Sequence, residues 1–223
     1  MSTDSVLNGL PLGGSSRNPF NYSKFEQINR DVTTQWLTTD EITNHLNLFD
    51  DESQDAYVQT LDLATRMIIE DYLGLSIFPV TYRVWYGAES LVASPVSLDL
   101  PEVSQNPTAS LAPLTIDSVA YYNASFPAVL TTIGSSNYFY DNSGNKVIVN
   151  SLPTDISTTM TAPIVVQYTT VGSPLAAYPV IKQAGLLILT DLYNNRADST
   201  ETKLKSVPHS AQTLLRPYKP LVM

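Results

Sequence analysis

An α+β fold is predicted by three features of the sequence. Apolar residues recur at helical spacing before Gly74 and again after Pro179. Between them, from Thr81 to about Val171, the alternation has a period of two. Both ends of the chain lack either pattern. The expected architecture is a helical core, two N-terminal helices plus one apolar C-terminal helix, with an inserted antiparallel β-rich region and extended N- and C-terminal arms. The expected divisions are an arm at 1–36, a body at 37–200 and a second arm at 201–223. Within the body, helices are expected at 39–48, 52–73 and 179–196, and the β-rich insertion at 80–172.

Residues 1–36 are rich in Ser, Asn, Gly and Thr and include Gly13-Gly14-Ser15-Ser16. The composition suits an extended arm. Its Leu7, Leu10, Leu12, Phe20, Tyr22, Phe25 and Trp36 could anchor it on a neighbouring molecule or on its own subunit. Thr38 or Thr39 caps the first helix, with Asp40 or Glu41 in its first turn and Ile42, His45 and Leu46 on one face. Asp50-Asp51-Glu52 opens the second, where negative charge complements the helix dipole. Tyr57, Leu61, Ala64, Ile68 and Tyr72 form its expected apolar stripe, Gly74 its C-cap, and Pro79 closes the turn.

Six strands follow: TYRVWY at 81–86, the alternating Val96, Leu98 and Leu100 stopped by Pro101, VAYY at 119–122, the hairpin of YFY (138–140) and KVIV (146–149), and IVVQYTT at 164–170. Asp141-Asn142-Ser143-Gly144-Asn145 is the turn of the hairpin. Pro179 starts the last helix at a position that tolerates proline. From Ala184 to Leu192 only Thr190 and Asp191 are polar, so both sides of this helix are expected to be covered, with Leu186, Leu187, Ile188, Leu189 and Leu192 in the core.

The 223 residues carry a net charge of -9, and only 15% are charged, against about 25% in a typical soluble domain. Twelve basic residues without clusters argue against tight nucleic-acid binding. The absence of cysteine excludes disulfides, zinc thiolates and a cysteine nucleophile. No apolar run approaches the roughly 20 residues of a membrane span, and the start lacks the pattern of a signal peptide. No cofactor is expected.

Candidate chemistry is sparse. Asp50, Asp51, Glu52 and Asp55 lack the alternating spacing and glycine of a calcium loop and read as the acidic start of a helix. His45 and His209 have no serine elbow or orienting carboxylate in their sequence context. Glu70 and Asp71 are adjacent on the second helix and point about 100° apart. No glycine-rich phosphate loop is present, so an enzyme is not expected.

The order helix, helix, β-rich insertion, helix, C-terminal arm resembles the head–tail connector (adaptor, or head-completion) proteins of tailed bacteriophages. The matching residues are Leu37-Thr38, Glu41 and His45-Leu46; Ala64, Ile69-Glu70 and Tyr72-Leu73-Gly74; Leu98-Asp99-Leu100-Pro101 and Val119-Ala120-Tyr121-Tyr122. The strongest are VVQYTTVG (165–172), Pro179, Ile181-Lys182-Gln183-Ala184 and Leu192-Tyr193-Asn194-Asn195-Arg196, with Val207-Pro208 and Leu214-Leu215-Arg216-Pro217-Tyr218 beyond. The resemblance covers residues 37–220. The first 36 residues and the Ser/Pro/Ala loops of the insertion are longer than the family pattern, which points them to contacts peculiar to this particle.

The resemblance implies a virion protein of the head–tail interface, assembled in the host cytoplasm as a ring of twelve copies. It implies a portal protein on one side, a tail or nozzle protein on the other, genomic DNA passing through the lumen without tight binding, and no membrane. An acidic wall would repel phosphates and let DNA slide. The basic, proline-rich C-terminal arm is expected to be extended and suited to an acidic partner or to strand addition. The resemblance makes the portal that partner, through Val207, Pro208, Leu214, Leu215, Arg216, Pro217, Tyr218 and Lys219; fold-back on its own subunit is the alternative. Arg196, where a cation complements the helix end, is expected to be structural or inter-subunit, together with Tyr193 and Glu70. A different class remains open: a β-rich virion or surface module binding a host receptor or glycan, suggested by 13 Tyr among many Ser and Asn.

Overall fold

The computed structural model describes residues 20–48, 52–87, 95–101, 114–172, 174–195 and 208–219. They form a sheet unit and a helical unit, each with its own apolar core. The secondary structure is α+β, with four α-helices and two antiparallel sheets among the described residues.

The sheet unit contains strands β1 (Lys24–Arg30), β2 (Val80–Tyr86), β3 (Val96–Asp99), β4 (Leu114–Tyr122), β5 (Leu130–Thr132), β6 (Tyr138–Asp141), β7 (Lys146–Val149) and β8 (Ile164–Thr170). One sheet has the order β1-β2-β8-β4-β5, the other β3-β7-β6. β8 lies at the centre of the larger sheet, with Val166 opposite Val84 of β2 and Val119 of β4. Period two explains why. In β2, Val80, Tyr82, Val84 and Tyr86 are buried while Thr81, Arg83 and Trp85 are half-buried. Val96, Leu98, Val147 and Val149 of the smaller sheet join the same core as Val84, Val119, Val166 and Tyr168. The Tyr86 hydroxyl donates to the Asp99 carbonyl at 2.7 Å, tying the two sheets together.

Three features here depart from the sequence reading. β4 begins at Leu114 rather than at Val119, and its register shifts between Ile116 and Ser118, a bulge that hides the alternation. β5 has three residues, too few to show a period. Residues 24–30 form strand β1, at the edge of the larger sheet, where most side chains face solvent and leave no buried alternation to read. The segment from Phe20 is therefore part of the fold. Asn21 is tied to β3 through its side chain: its Nδ2 donates to the Ser97 carbonyl at 2.5 Å and its Oδ1 accepts from the Asp99 N–H at 2.9 Å.

The helical unit contains α1 (Thr39–Leu46), α2 (Asp55–Leu73), α3 (Pro179–Asn194) and α4 (His209–Leu215). Thr38 caps α1 in a capping box with Glu41, and Asn47 ends it in the left-handed region at φ 55°. A 3₁₀ turn (Glu52–Gln54) leads into α2, which Gly74 terminates at φ 68°. Its expected stripe is displaced. The buried residues are Val58, Leu61, Asp62, Thr65, Arg66, Ile69, Glu70 and Leu73, and Tyr57, Ala64, Ile68 and Tyr72 lie at the half-buried flank. α3 buries Ile181, Ala184, Gly185, Ile188 and Leu189, while Leu186, Leu187 and Leu192 are half-buried. One face of α3, not its whole circumference, is covered within this unit. Trp36 is 8% exposed and packs on this core. Its indole N–H donates to the Ala176 carbonyl at 2.9 Å, and its ring lies over Gly185, where an added Cβ would come within 2.7 Å of it. Of the expected arm's anchors, Trp36 thus serves its own subunit.

Candidate functional site

The buried polar face of α2 is the most organised constellation in the helical unit. Asp62, Arg66 and Glu70 are spaced four apart, so they line one side of the helix. Together they grip the strap Arg30–Leu37, which runs antiparallel to α2. Asp62 accepts the backbone N–H of Trp36 (2.8 Å) and of Leu37 (3.1 Å). Arg66 donates to the Thr34 carbonyl at 2.6 Å and to the Asp31 carbonyl, and its guanidinium lies 4.7 Å from the Phe78 ring centre. Glu70 accepts Arg30 at 2.5 Å through one oxygen and the Ile77 N–H at 2.8 Å through the other.

Burial raises the Asp62 carboxyl from its ordinary value, against the two backbone N–H bonds and Arg66 that favour its charge. Arg30 behaves differently: burial alone would lower it, but Glu70 and Asp71 outweigh burial and raise it. Asp31 is held well below the usual carboxylate range by hydrogen bonds from Thr34 and then Thr33, which fix the strap's turn. The strap leads directly into the α1 capping box. There Glu41 accepts Lys182 of α3 at 2.6 Å and is lowered chiefly by that bond. One polar chain thus links α2, the strap, α1 and α3. It is built from hydrogen bonds to backbone and from ion pairs.

The sequence-predicted site residues fall in four groups. Glu70 is in this clamp. Tyr193 is nearby in the helical unit, its hydroxyl donating to the Gln54 side chain at 2.7 Å and its ring 6.1 Å from that of Tyr57. Arg196 and Val207 lie outside the described residues. The rest, Pro208 to Lys219, are not extended: α4 and a 3₁₀ turn (Arg216–Tyr218) occupy this segment. Leu215 is fully buried in the helical core, Leu214 and Tyr218 pack at its margin, and Tyr218 meets Tyr178 edge-on at 5.8 Å. The prolines do not prevent this helix, because Pro208 precedes its first residue and Pro217 follows its last. The basic side chains of Arg216 and Lys219 remain exposed, as does Pro217, and the Lys219 ammonium sits 5.0 Å from the Tyr72 ring centre.

The sequence reading missed the clamp. Its signal was the alternation Asp62, Arg66, Glu70 at four-residue spacing, which on a surface helix reads as a solvated row of ion pairs. It also missed the exposed apolar residues of the sheet unit, Phe126 at 98% above all. Among the described residues, no group of three or more His, Cys, Asp or Glu is placed to hold a metal ion, and no helix is long and apolar enough to cross a membrane.

No protein-family model matches the chain, and no curated protein matches it. Solved structures do. A chain in the neck of an empty GTA particle, computed with C6 symmetry, aligns with a TM-score of 0.58 over 90% of this chain and 97% of that one, at 16% identity. A chain in the virion of a native gene transfer agent (GTA) particle gives 0.56 over 89% and 96%, also at 16% identity. A third, in the neck of a native GTA particle computed with C12 symmetry, gives 0.55 over 90% and 97% at 13% identity. The likeness spans nearly the whole of both chains and establishes a shared fold.

Proposed function

We propose that this chain is a structural protein of a phage-like virion neck, a head–tail adaptor that forms a ring between the portal and the tail or nozzle protein. The observation that carries the reading is the shared fold along nearly the full length of chains from particle necks. It agrees with the family resemblance carried by residues 37–220. The ring has twelve copies, and genomic DNA passes through its lumen. The net charge of -9 suits a passage that must not retain phosphates. The protein is no enzyme in this reading. The buried clamp gives its helical unit a fixed geometry, which is what a ring subunit must supply.

Portal docking remains the proposed role of the C-terminal segment, with a narrower surface. Leu215 is committed to the core, so the outward Arg216, Pro217 and Lys219 carry the contact to an acidic partner. The test is attachment to portal-containing heads that lack tails. The wild-type chain is expected to bind them and to permit tail joining. Arg216→Glu with Lys219→Glu is expected to remain folded and to lose attachment. Failure of the wild-type chain to associate with such heads would sink the adaptor reading; normal attachment of the double variant would remove only the docking surface.

A further inference from the structure

The segment Arg30–Pro79 of the helical unit is tied near both of its ends by one residue, Glu70. Its Oε2 accepts Arg30 at 2.5 Å and 3.1 Å, at the start of the strap. Its Oε1 accepts the Ile77 N–H at 2.8 Å, in the turn by which the chain leaves α2. Its own carbonyl accepts the Gly74 N–H (2.8 Å) and the Leu75 N–H (3.3 Å), closing the helix end. The two sides of this node are held differently. The exit turn is apolar, with Leu75 and Ile77 buried in the helical core. No side chain of the strap from Arg30 to Gln35 is buried: Val32, Thr33, Thr34 and Gln35 are exposed, Arg30 and Asp31 half-buried. Polar contacts hold this part of the strap, which places it at the low end of local stability.

We propose that Glu70 is a conformational relay: it makes the hold on the α2 exit turn depend on whether the strap is closed. When the strap lifts, Arg30 leaves with it, and a carboxylate only 5% exposed is left without its cation. An uncompensated buried charge is costly, and water is one side chain away, beside the exposed Asp71. The Glu70 carboxylate then turns outward to be hydrated. In turning it abandons the N–H of Ile77, a residue buried in the core. The coupling is reciprocal. Ile77 on Oε1 aims Oε2 at Arg30, so a closed exit favours a closed strap. Asp62 holds the strap at Trp36 and Leu37, about two turns of α2 from Glu70, and stabilises the closed state without joining the relay. This device belongs to the helical unit and does not depend on the ring reading.

Native-state hydrogen exchange of the full chain tests the relay. Arg30→Met removes the cation and alters neither the Ile77 amide nor its acceptor. Exchange at the Ile77 amide is expected to rise at least about tenfold, the scale of one hydrogen bond to a charged group. The amides of Ile188 and Leu189, buried in α3, are expected to keep their rates. Arg30→Lys keeps the charge and should restore most of the protection. Glu70→Gln supplies the second arm. It keeps an acceptor for Ile77 and has no buried charge to hydrate, so Arg30→Met added to Glu70→Gln should change exchange at Ile77 no further. If Arg30→Met does not fold, the milder neutral change Arg30→Gln is read in its place. An Ile77 rate that does not move when Arg30 is neutralised overturns the relay. So does a rise shared equally by Ile188 and Leu189, which is plain loss of global stability, and so does an undiminished effect of Arg30→Met on the Glu70→Gln background.

Discussion

Replacing Asp62 by Ala tests whether the clamp on α2 supports the helical unit. Its carboxylate accepts two backbone N–H groups, those of Trp36 and Leu37, and both residues are buried, at 8% and 1% exposure. An orphaned buried donor costs about 1–3 kcal/mol, so two lost acceptors amount to about 2–6 kcal/mol. Part of this is returned, because burial raises the Asp62 carboxyl and its ionised form is held at a cost. We expect a net loss of about 2–4 kcal/mol. Asp62→Asn keeps one acceptor and should fall between the wild type and Ala. The assay is urea unfolding followed by far-UV circular dichroism at fixed protein concentration. Asp71→Ala is the control; its side chain is 72% exposed, and a change within about 0.5 kcal/mol is expected. An Asp62→Ala variant as stable as that control would refute the clamp.

Three further predictions concern the same unit. Gly185→Ala would place a Cβ 2.7 Å from the Trp36 ring; overpacking of about 1–3 kcal/mol should outweigh the gain in helix propensity of up to about 1 kcal/mol, and calorimetric melting should show a lower Tm. Leu215→Ala should cost about 2–5 kcal/mol in urea unfolding because the side chain is fully buried, whereas a free arm would give no measurable loss. Glu41 is held below its ordinary 4.5, chiefly by Lys182. Its contribution is present above about pH 4.5 and disappears as pH falls through the depressed folded value. The stability difference between wild type and Glu41→Gln should therefore shrink between pH 6 and pH 3, and a difference that grows would contradict the pairing.

Helix ends and strongly alternating strands were legible in the sequence because local chemistry determines them. Thr38 with Glu41, Gly74 and Pro179 each mark a helix terminus through one side chain or one backbone angle, and the structure has all three where the residues stand. The central strands β2 and β8 were legible because one face is buried along their length. The buried face of α2 was not. Asp62, Arg66 and Glu70 meet strap residues 26, 32 and 40 positions earlier, a tertiary effect that helical periodicity cannot register. The C-terminal segment failed for a related reason. Its prolines read as helix breakers, yet they flank α4, and the burial of Ala211 and Leu215 supplies what intrinsic propensity lacks. The apolar tip at Phe126 was hidden because exposure is a property of the fold.

We propose above that the chain works as a ring in a particle neck. Native mass spectrometry of the full chain, with electron microscopy of the same sample in the presence of portal-containing heads, tests it most directly. The account predicts closed rings at twelve times the 24.5 kDa chain, seated on the portal vertex. A protein that stays monomeric under both conditions and instead binds a glycan array would contradict it.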